Sequence, residues 1–156
     1  MNPGGETPQP LAPELEERVR GSFARQTFME TLGARMTELA RGWCVIELER
    51  RENLLQQHGY LHAGVVSTLA DNACGYAALS AMPMDATVLT TEFKINLLAP
   101  AAGERLRARG QVVKSGRTLT VVTAEVDTLK EGAWKPVALF QGSMLCLRDT
   151  ADDHTR

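Results

Sequence analysis

The sequence predicts an α+β fold in which a run of antiparallel strands packs on one long central helix. Two observations carry this expectation. After residue 85, four runs keep a period of two: TVLTTEFKINLL, ERLRARGQVVK, LTVVTAEVDTL and PVALFQGSMLCL. Only short turns rich in Gly, Pro and Lys separate them. Over residues 62–81 the period is helical instead, with Val65, Leu69, Ala73 and Tyr76 on one stripe.

The remaining elements follow in chain order. Residues 1–12, rich in Gly and Pro, read as a disordered lead-in. A helix is expected over residues 13–32. Glu14, Glu16 and Glu17 lie at its positive end, Val19, Phe23, Phe28 and Leu32 recur at helical spacing, and Gly33 stops it. In ARMTELARGWCVIELERRENLL, Met36, Leu39, Cys44, Ile46 and Leu48 alternate with polar residues, which predicts two strands joined around Arg41-Gly42. Residues 13–148 thus form a single domain, and DTADDHTR, residues 149–156, is a polar tail. Late segments such as VALF and MLCL are apolar on both faces, so a partner subunit is expected over the sheet face away from the helix.

Composition narrows the function classes. The chain has 156 residues, is 44% hydrophobic and 23% charged, and carries a net charge of -2, which gives no electrostatic footprint for nucleic acid. No apolar run is long enough to cross a bilayer, and the N-terminus lacks a basic start followed by an apolar stretch. Cys44, Cys74 and Cys146 each sit in apolar surroundings, as reduced core thiols do. A soluble cytoplasmic protein without nucleic-acid or membrane partners is expected.

The central helix raises the chemical question. It is rich in small residues, and Gly75, which disfavours a helix by about 1 kcal/mol against Ala, predicts close approach of another backbone. No Lys or Arg occurs between Arg51 and Lys94, so Asp71 has no local counterion. On a helical wheel Asp71 shares a stripe with Gly64, Ser67, Thr68, Cys74 and Ala78, opposite Val65, Leu69 and Tyr76. A carboxylate at such a seam is either a general base whose pKa is raised by desolvation or a cap on a neighbouring turn. Upstream, QQHGYLH leads into the helix, where the unpaired N–H groups of Ala63 and Gly64 suit a developing oxyanion. One helix holds these groups too far from Asp71, so a second copy of the chain is needed to supply one of them. His58, His62 and Asp71 lack a complete metal-ligand spacing, and Cys74 lacks a base, so neither a metal site nor a thiol nucleophile is expected.

The block GYLHAG at residues 59–64, followed by LADNA at 69–73, resembles the hotdog-fold acyl-CoA thioesterases of the PaaI-like group. TTEFKINLLAP from Thr90, then Gly103 and GRTL from Gly116, extend the likeness over about residues 36–148. The family's usual form is Asn or Gln, a short spacer, Gly-x-x-His-Gly-Gly, and an Asp or Glu two turns later. The resemblance implies a hotdog fold, a curved antiparallel sheet wrapped around a central long helix. It implies hydrolysis of acyl-CoA to free acid and coenzyme A with no metal and no cofactor. Asp71 matches the general base or nucleophile, Gln56 the amide that places water or substrate, and Thr90 a hydroxyl near the carboxylate. His62 orders the loop, and the Ala63 N–H polarises the thioester oxygen. Gly64 and Asn72 fall at substrate-contacting positions, Lys114, Ser115, Gly116 and Arg117 at a coenzyme A contact, and the basic Lys94, Lys114 and Arg117 suit its phosphates. Family members join two subunits into one sheet, as a dimer or a dimer of dimers. Asp71 and Thr90 would then come from one chain, Gln56 and Ala63 from the other. In one departure, Ala63 replaces the first Gly of His-Gly-Gly, adding a methyl to the thioester channel. The related alternatives are a hotdog hydratase or dehydratase and a non-catalytic acyl-CoA-binding protein. The acyl wall is expected from Tyr60, Leu61, Leu79, Met82, Met84 and Phe93, suited to an aryl or a medium-length aliphatic chain.

Overall fold

The computed structural model describes residues 9–148. Most of the expected lead-in and all of the expected polar tail lie outside the described residues; within the lead-in, the Gln9 carbonyl accepts from the Arg41 N–H at 2.9 Å.

The expected first helix is two helices, α1 (Pro13–Ala24) and α2 (Thr27–Leu32), separated at Arg25-Gln26. Gln26 leaves helical geometry at φ -78°, ψ 99°, and its side-chain amide donates to the Tyr76 hydroxyl at 2.6 Å. Phe23 meets the same ring edge-on at 5.5 Å. The break turns the apolar stripe by one position: Met29 is buried and Phe28, expected inward, is 56% exposed. Gly33 ends α2 in the left-handed region at φ 67°.

Strands β1 (Arg35–Ala40) and β2 (Trp43–Glu49) form a hairpin, and α3 (Ala63–Leu79) follows. Then come β3 (Ala86–Leu97), β4 (Arg105–Ser115), β5 (Leu119–Lys130) and β6 (Ala133–Arg148). All six strands join one curved antiparallel sheet in the order β1-β2-β4-β5-β6-β3, with α3 on its inner face: the hotdog fold. Third among the strands in sequence, β3 lies at the sheet edge and pairs only with β6 among the described residues.

The core lies between α3 and the inner side chains of the sheet, among them Ile46, Leu106, Val122, Phe140 and Met144. The close backbone approach predicted at Gly75 occurs elsewhere. A methyl on Gly75 would meet nothing within 4 Å, whereas one on Gly110 of β4 would lie 2.4 Å from the Ala73 carbonyl and 2.6 Å from the Cys74 nitrogen. The glycine that lets helix meet sheet is therefore on the strand.

The outer face is not the apolar surface that VALF and MLCL suggested. Its centre is an ionic lattice: Arg109 lies 2.8 Å from Asp127 and 2.7 Å from Glu125, and Arg107 lies 3.2 Å from Asp127 and stacks 4.0 Å over the Trp134 ring. Exposed apolar side chains flank it on this face: Leu139 lies directly opposite Glu125, and Leu89 and Leu119 lie farther along the sheet, each opposite Leu145.

A bulge interrupts β3. Thr90 pairs with Met144 but Glu92 pairs with Ser143, so Thr91 is the additional residue. Inward positions are even before it (Ala86, Val88, Thr90) and odd after it (Phe93, Ile95, Leu97), with Phe93 stacked on Phe140 at 5.0 Å.

The two glycines predict opposite outcomes. Gly110→Ala should destabilise the protein by about 3 kcal/mol through backbone overlap, while Gly75→Ala should leave it as stable or more stable by up to about 1 kcal/mol; denaturant midpoints of the two variants measure both.

Candidate active site

Half of the candidate site lies midway along α3. Asp71 is half-buried, and the Thr90 hydroxyl donates to its Oδ1 at 2.8 Å while lying 3.4 Å from the Met144 sulfur. Burial pushes the Asp71 carboxyl above its ordinary range, and the Thr90 hydrogen bond opposes that rise. Neither cause is a charge, in keeping with the absence of Lys and Arg around it in sequence.

The other half lies at the N-terminus of α3. Residues 56–60 close a tight hairpin in which Gln56 N–H donates to the Tyr60 carbonyl at 2.9 Å and Gly59 N–H to the Gln56 carbonyl at 2.9 Å. The Gln56 side-chain oxygen accepts from the His58 N–H. His62 is the N-cap: its Nδ1 accepts from Gly64 N–H at 2.9 Å, and its carbonyl accepts from Val65 and Val66 at 2.9 and 3.2 Å. Gly64 N–H, expected to be an oxyanion donor, is thus occupied by the cap. Ala63 N–H is the helix-start donor without a partner among the described residues. It opens on a cavity of about 360 Å³ lined by Gln56, Tyr60, His62, Ala63, Val66, Leu97, Pro100 and Val137, among others.

Asp71 is eight positions further along α3, roughly 12 Å away at 1.5 Å per residue, and does not line that cavity. The structure therefore gathers Gln56, His62 and Ala63 at one place and Asp71 and Thr90 at another. β3 runs opposite to α3, carrying Thr90 beside Asp71 and Leu97 beside Ala63.

The other expected positions are dispersed. The Asn72 side-chain amide donates to the Thr68 carbonyl at 3.0 Å. Lys114, Ser115, Gly116 and Arg117 are exposed in and beside the β4–β5 turn, where Gly116 N–H donates to the Leu119 carbonyl at 2.9 Å. Ser115, Thr120, Met144 and Thr90 form one row across β4, β5, β6 and β3, which puts the turn roughly 14 Å from Thr90 at the usual strand spacing. Leu79 and Met82, expected in the acyl wall, are buried in the core at the far end of α3 from Tyr60 and Leu61. Lys94 lies on the outer sheet face. Met144, Leu97, Pro100 and Val137 were not singled out from sequence. The parity change in VLTTEFKI, which turns Thr90 and Phe93 to the same side, is the signal that locates the bulge.

No group of three His, Cys, Asp or Glu residues is placed to hold a metal among the described residues. Cys44 and Cys74 are buried thiols pushed well above their ordinary range by desolvation, which makes them poor nucleophiles. No helix of the described residues is long and apolar enough to cross a membrane.

Comparison with known proteins agrees with this architecture. The thioesterase superfamily model matches residues 58–134. The 1,4-dihydroxy-2-naphthoyl-CoA hydrolase of Listeria monocytogenes is 30% identical over 104 residues, 64% of this chain and 85% of that protein. The acyl-coenzyme A thioesterase PaaI of Escherichia coli is 29% identical, over 81% of this chain and 86% of its own length. The crystal structure of a thioesterase family protein from Silicibacter pomeroyi is 48% identical and superposes with a TM-score of 0.85, covering 86% of this chain and 98% of that one. The chain belongs to the thioesterase superfamily, in its PaaI-like hotdog group, and is a thioester hydrolase.

Proposed function

We propose that this thioester hydrolase acts on acyl-coenzyme A, releasing the free acid and coenzyme A, in a site assembled from two copies of the chain. The observation that carries the reading is the separation of the two half-sites along one helix. Each has what the other lacks: Asp71 a raised carboxyl without an oxyanion donor, Ala63 a free N–H without a base.

Antiparallel pairing of two β3 edges removes the separation. With Thr90 of one copy opposite Leu97 of the other, the Asp71 half-site of each faces the Ala63 half-site of its neighbour. Asp71 and Thr90 then come from one chain, Gln56, His62 and Ala63 from the other. This dimer is the unit of function, whether or not two dimers associate further.

Asp71 acts as the general base. Thr90 holds Oδ1, leaving Oδ2 to take a proton from water, which the Gln56 amide helps to place. The water oxygen attacks the thioester carbonyl carbon, and the negative charge that moves onto the carbonyl oxygen is received by Ala63 N–H at the positive end of α3. Collapse of the intermediate breaks the carbon–sulfur bond, and the proton held by Asp71 passes to the departing thiolate. The chemistry draws on no metal or cofactor. His62 keeps the helix start in register through Gly64, and the Ala63 methyl borders the acyl path. Leu97, Val66, Val137 and Tyr60 supply an apolar wall, and the cavity of about 360 Å³ has room for a ring-sized acyl group. Lys114 and Arg117 are suited to the phosphates of coenzyme A, with Ser115 and Gly116 shaping the turn. We assign the protein to the cytoplasm, a reading supported by such a substrate and by three buried free thiols.

Thiol release from a panel of aryl and aliphatic acyl-CoAs tests the reading, and no release from any of them by the wild type would overturn it. Asp71→Asn should lower kcat by about 10²–10⁴-fold, and the wild-type rate should fall on acidification at a pH above the ordinary carboxylate range, because the reactive form is ionised. The linked effect on stability has the opposite sign. A carboxyl whose pKa is raised by folding destabilises the fold as pH rises through that value, so Asp71→Asn should raise Tm at pH 7 while lowering turnover. Ala63→Pro isolates the oxyanion donor, since the first helical position tolerates Pro and His62 already has the extended φ -61°, ψ 141° that a following Pro requires. It should preserve Tm and lower kcat by about 10²–10³-fold.

A further inference from the structure

The Asp71–Thr90 contact depends on a strand that changes its inward side within two residues. Three contacts lie at that change. Thr91, the additional residue of the bulge, donates its hydroxyl to the Ser143 carbonyl at 2.9 Å. The Ser143 hydroxyl donates to Glu92 Oε1 at 2.6 Å, tying the first residue after the bulge to the outer face. Thr90, just before it, is thereby left facing inward at 2.8 Å from Asp71. Without this arrangement, a regular alternation starting from Thr90 would carry Glu92 and Lys94 inward in place of Phe93 and Ile95.

We infer that Ser143, on the opposite face of the sheet from Asp71, is a positioning residue for the catalytic carboxylate, acting through the β3 bulge and the Thr90 hydroxyl. It touches no reacting atom. Ser143 holds the bulge at two points, its carbonyl accepting from Thr91 and its hydroxyl donating to Glu92. No ion pair reaches Asp71 among the described residues. Among the described residues, the inward titratable groups on the elements around it are the Cys74 thiol and Tyr76 hydroxyl on α3, the Cys44 thiol on β2 and the Cys146 thiol on β6, while Glu92, Lys94, Arg109 and Glu125 belong to the outer face. Burial is the larger influence on the Asp71 carboxyl and raises it; the Thr90 hydrogen bond opposes that rise, so losing its geometry moves the carboxyl further up.

The inference rests on Asp71 being the base, and its test separates the two claims. In Ser143→Ala, KM should be unchanged, kcat at pH 7 should fall about tenfold, and the acid limb of the rate profile should move to higher pH. Ser143→Thr, which keeps the hydroxyl, should behave as wild type. Combining Ser143→Ala with Thr90→Val should give no greater loss than Thr90→Val alone, because both remove the same contact. The Asp71 carboxyl resonance, followed by ¹³C NMR across pH in wild type and Ser143→Ala, gives a readout independent of turnover. An upward displacement in the variant supports positioning even if the substrate is other than an acyl-CoA. An unchanged Asp71 titration, or losses that add fully in the double variant, overturns it.

Discussion

Helix α3 meets the sheet at backbone distance, and Gly110 is what permits that contact. With any side chain there, the Ala73–Cys74 peptide would have to withdraw, and the stripe of small residues along α3 would no longer pack against β4. Two features of the site follow from this seating. Asp71, two residues before Ala73, is carried to the margin of the buried seam, where desolvation raises its pKa without a cation to restore it. The N-terminus of α3 is carried to the end of β3, where Leu97 and Val137 wall a cavity around Ala63.

The proposed chemistry divides between two ordinary properties of a helix. Its middle offers a side chain whose solvation is controlled by packing, and its start offers backbone donors that the helix cannot satisfy itself. His62 narrows the second property to one group by capping Gly64 and accepting from Val65 and Val66, leaving Ala63 N–H. On the proposed reading, the departure from His-Gly-Gly keeps the donor, because the N–H at residue 63 belongs to the backbone and the methyl changes only the width beside it. The same single helix cannot bring its own base to its own donor, and the edge position of β3 supplies the geometry by which a second copy can.

The pattern of the sequence made α3, its histidine start and the strand runs legible, because periodicity and small-residue content are local properties. The family resemblance identified the fold, and the carboxylate stood out through the absence of local cations. The errors share a different character. Gly75 and Gly110 are equally conspicuous as letters, but which one meets another backbone depends on how helix and sheet are seated. Leu79 and Met82 are apolar and near the site in sequence, yet three-dimensional distance along α3 puts them in the core. The break at Gln26 answers to Tyr76, fifty residues away, and the ionic lattice of Arg107, Arg109, Glu125 and Asp127 requires the β4–β5 register to be known. The bulge was visible as a change of parity in VLTTEFKI, a signal hidden by treating that run as one uninterrupted alternation.

The central claim is that one working site needs Asp71 from one chain and the Ala63 N–H from another. Mixing the chain bearing Asp71→Asn with the chain bearing Ala63→Pro, after unfolding and refolding them together in equal amounts, tests it directly. In a mixed dimer one site has both groups intact and the other has neither. With half of the dimers mixed, activity should return to about a quarter of the wild-type value. Activity no greater than that of the separate variants, in refolded material shown to contain mixed dimers, would contradict the shared site.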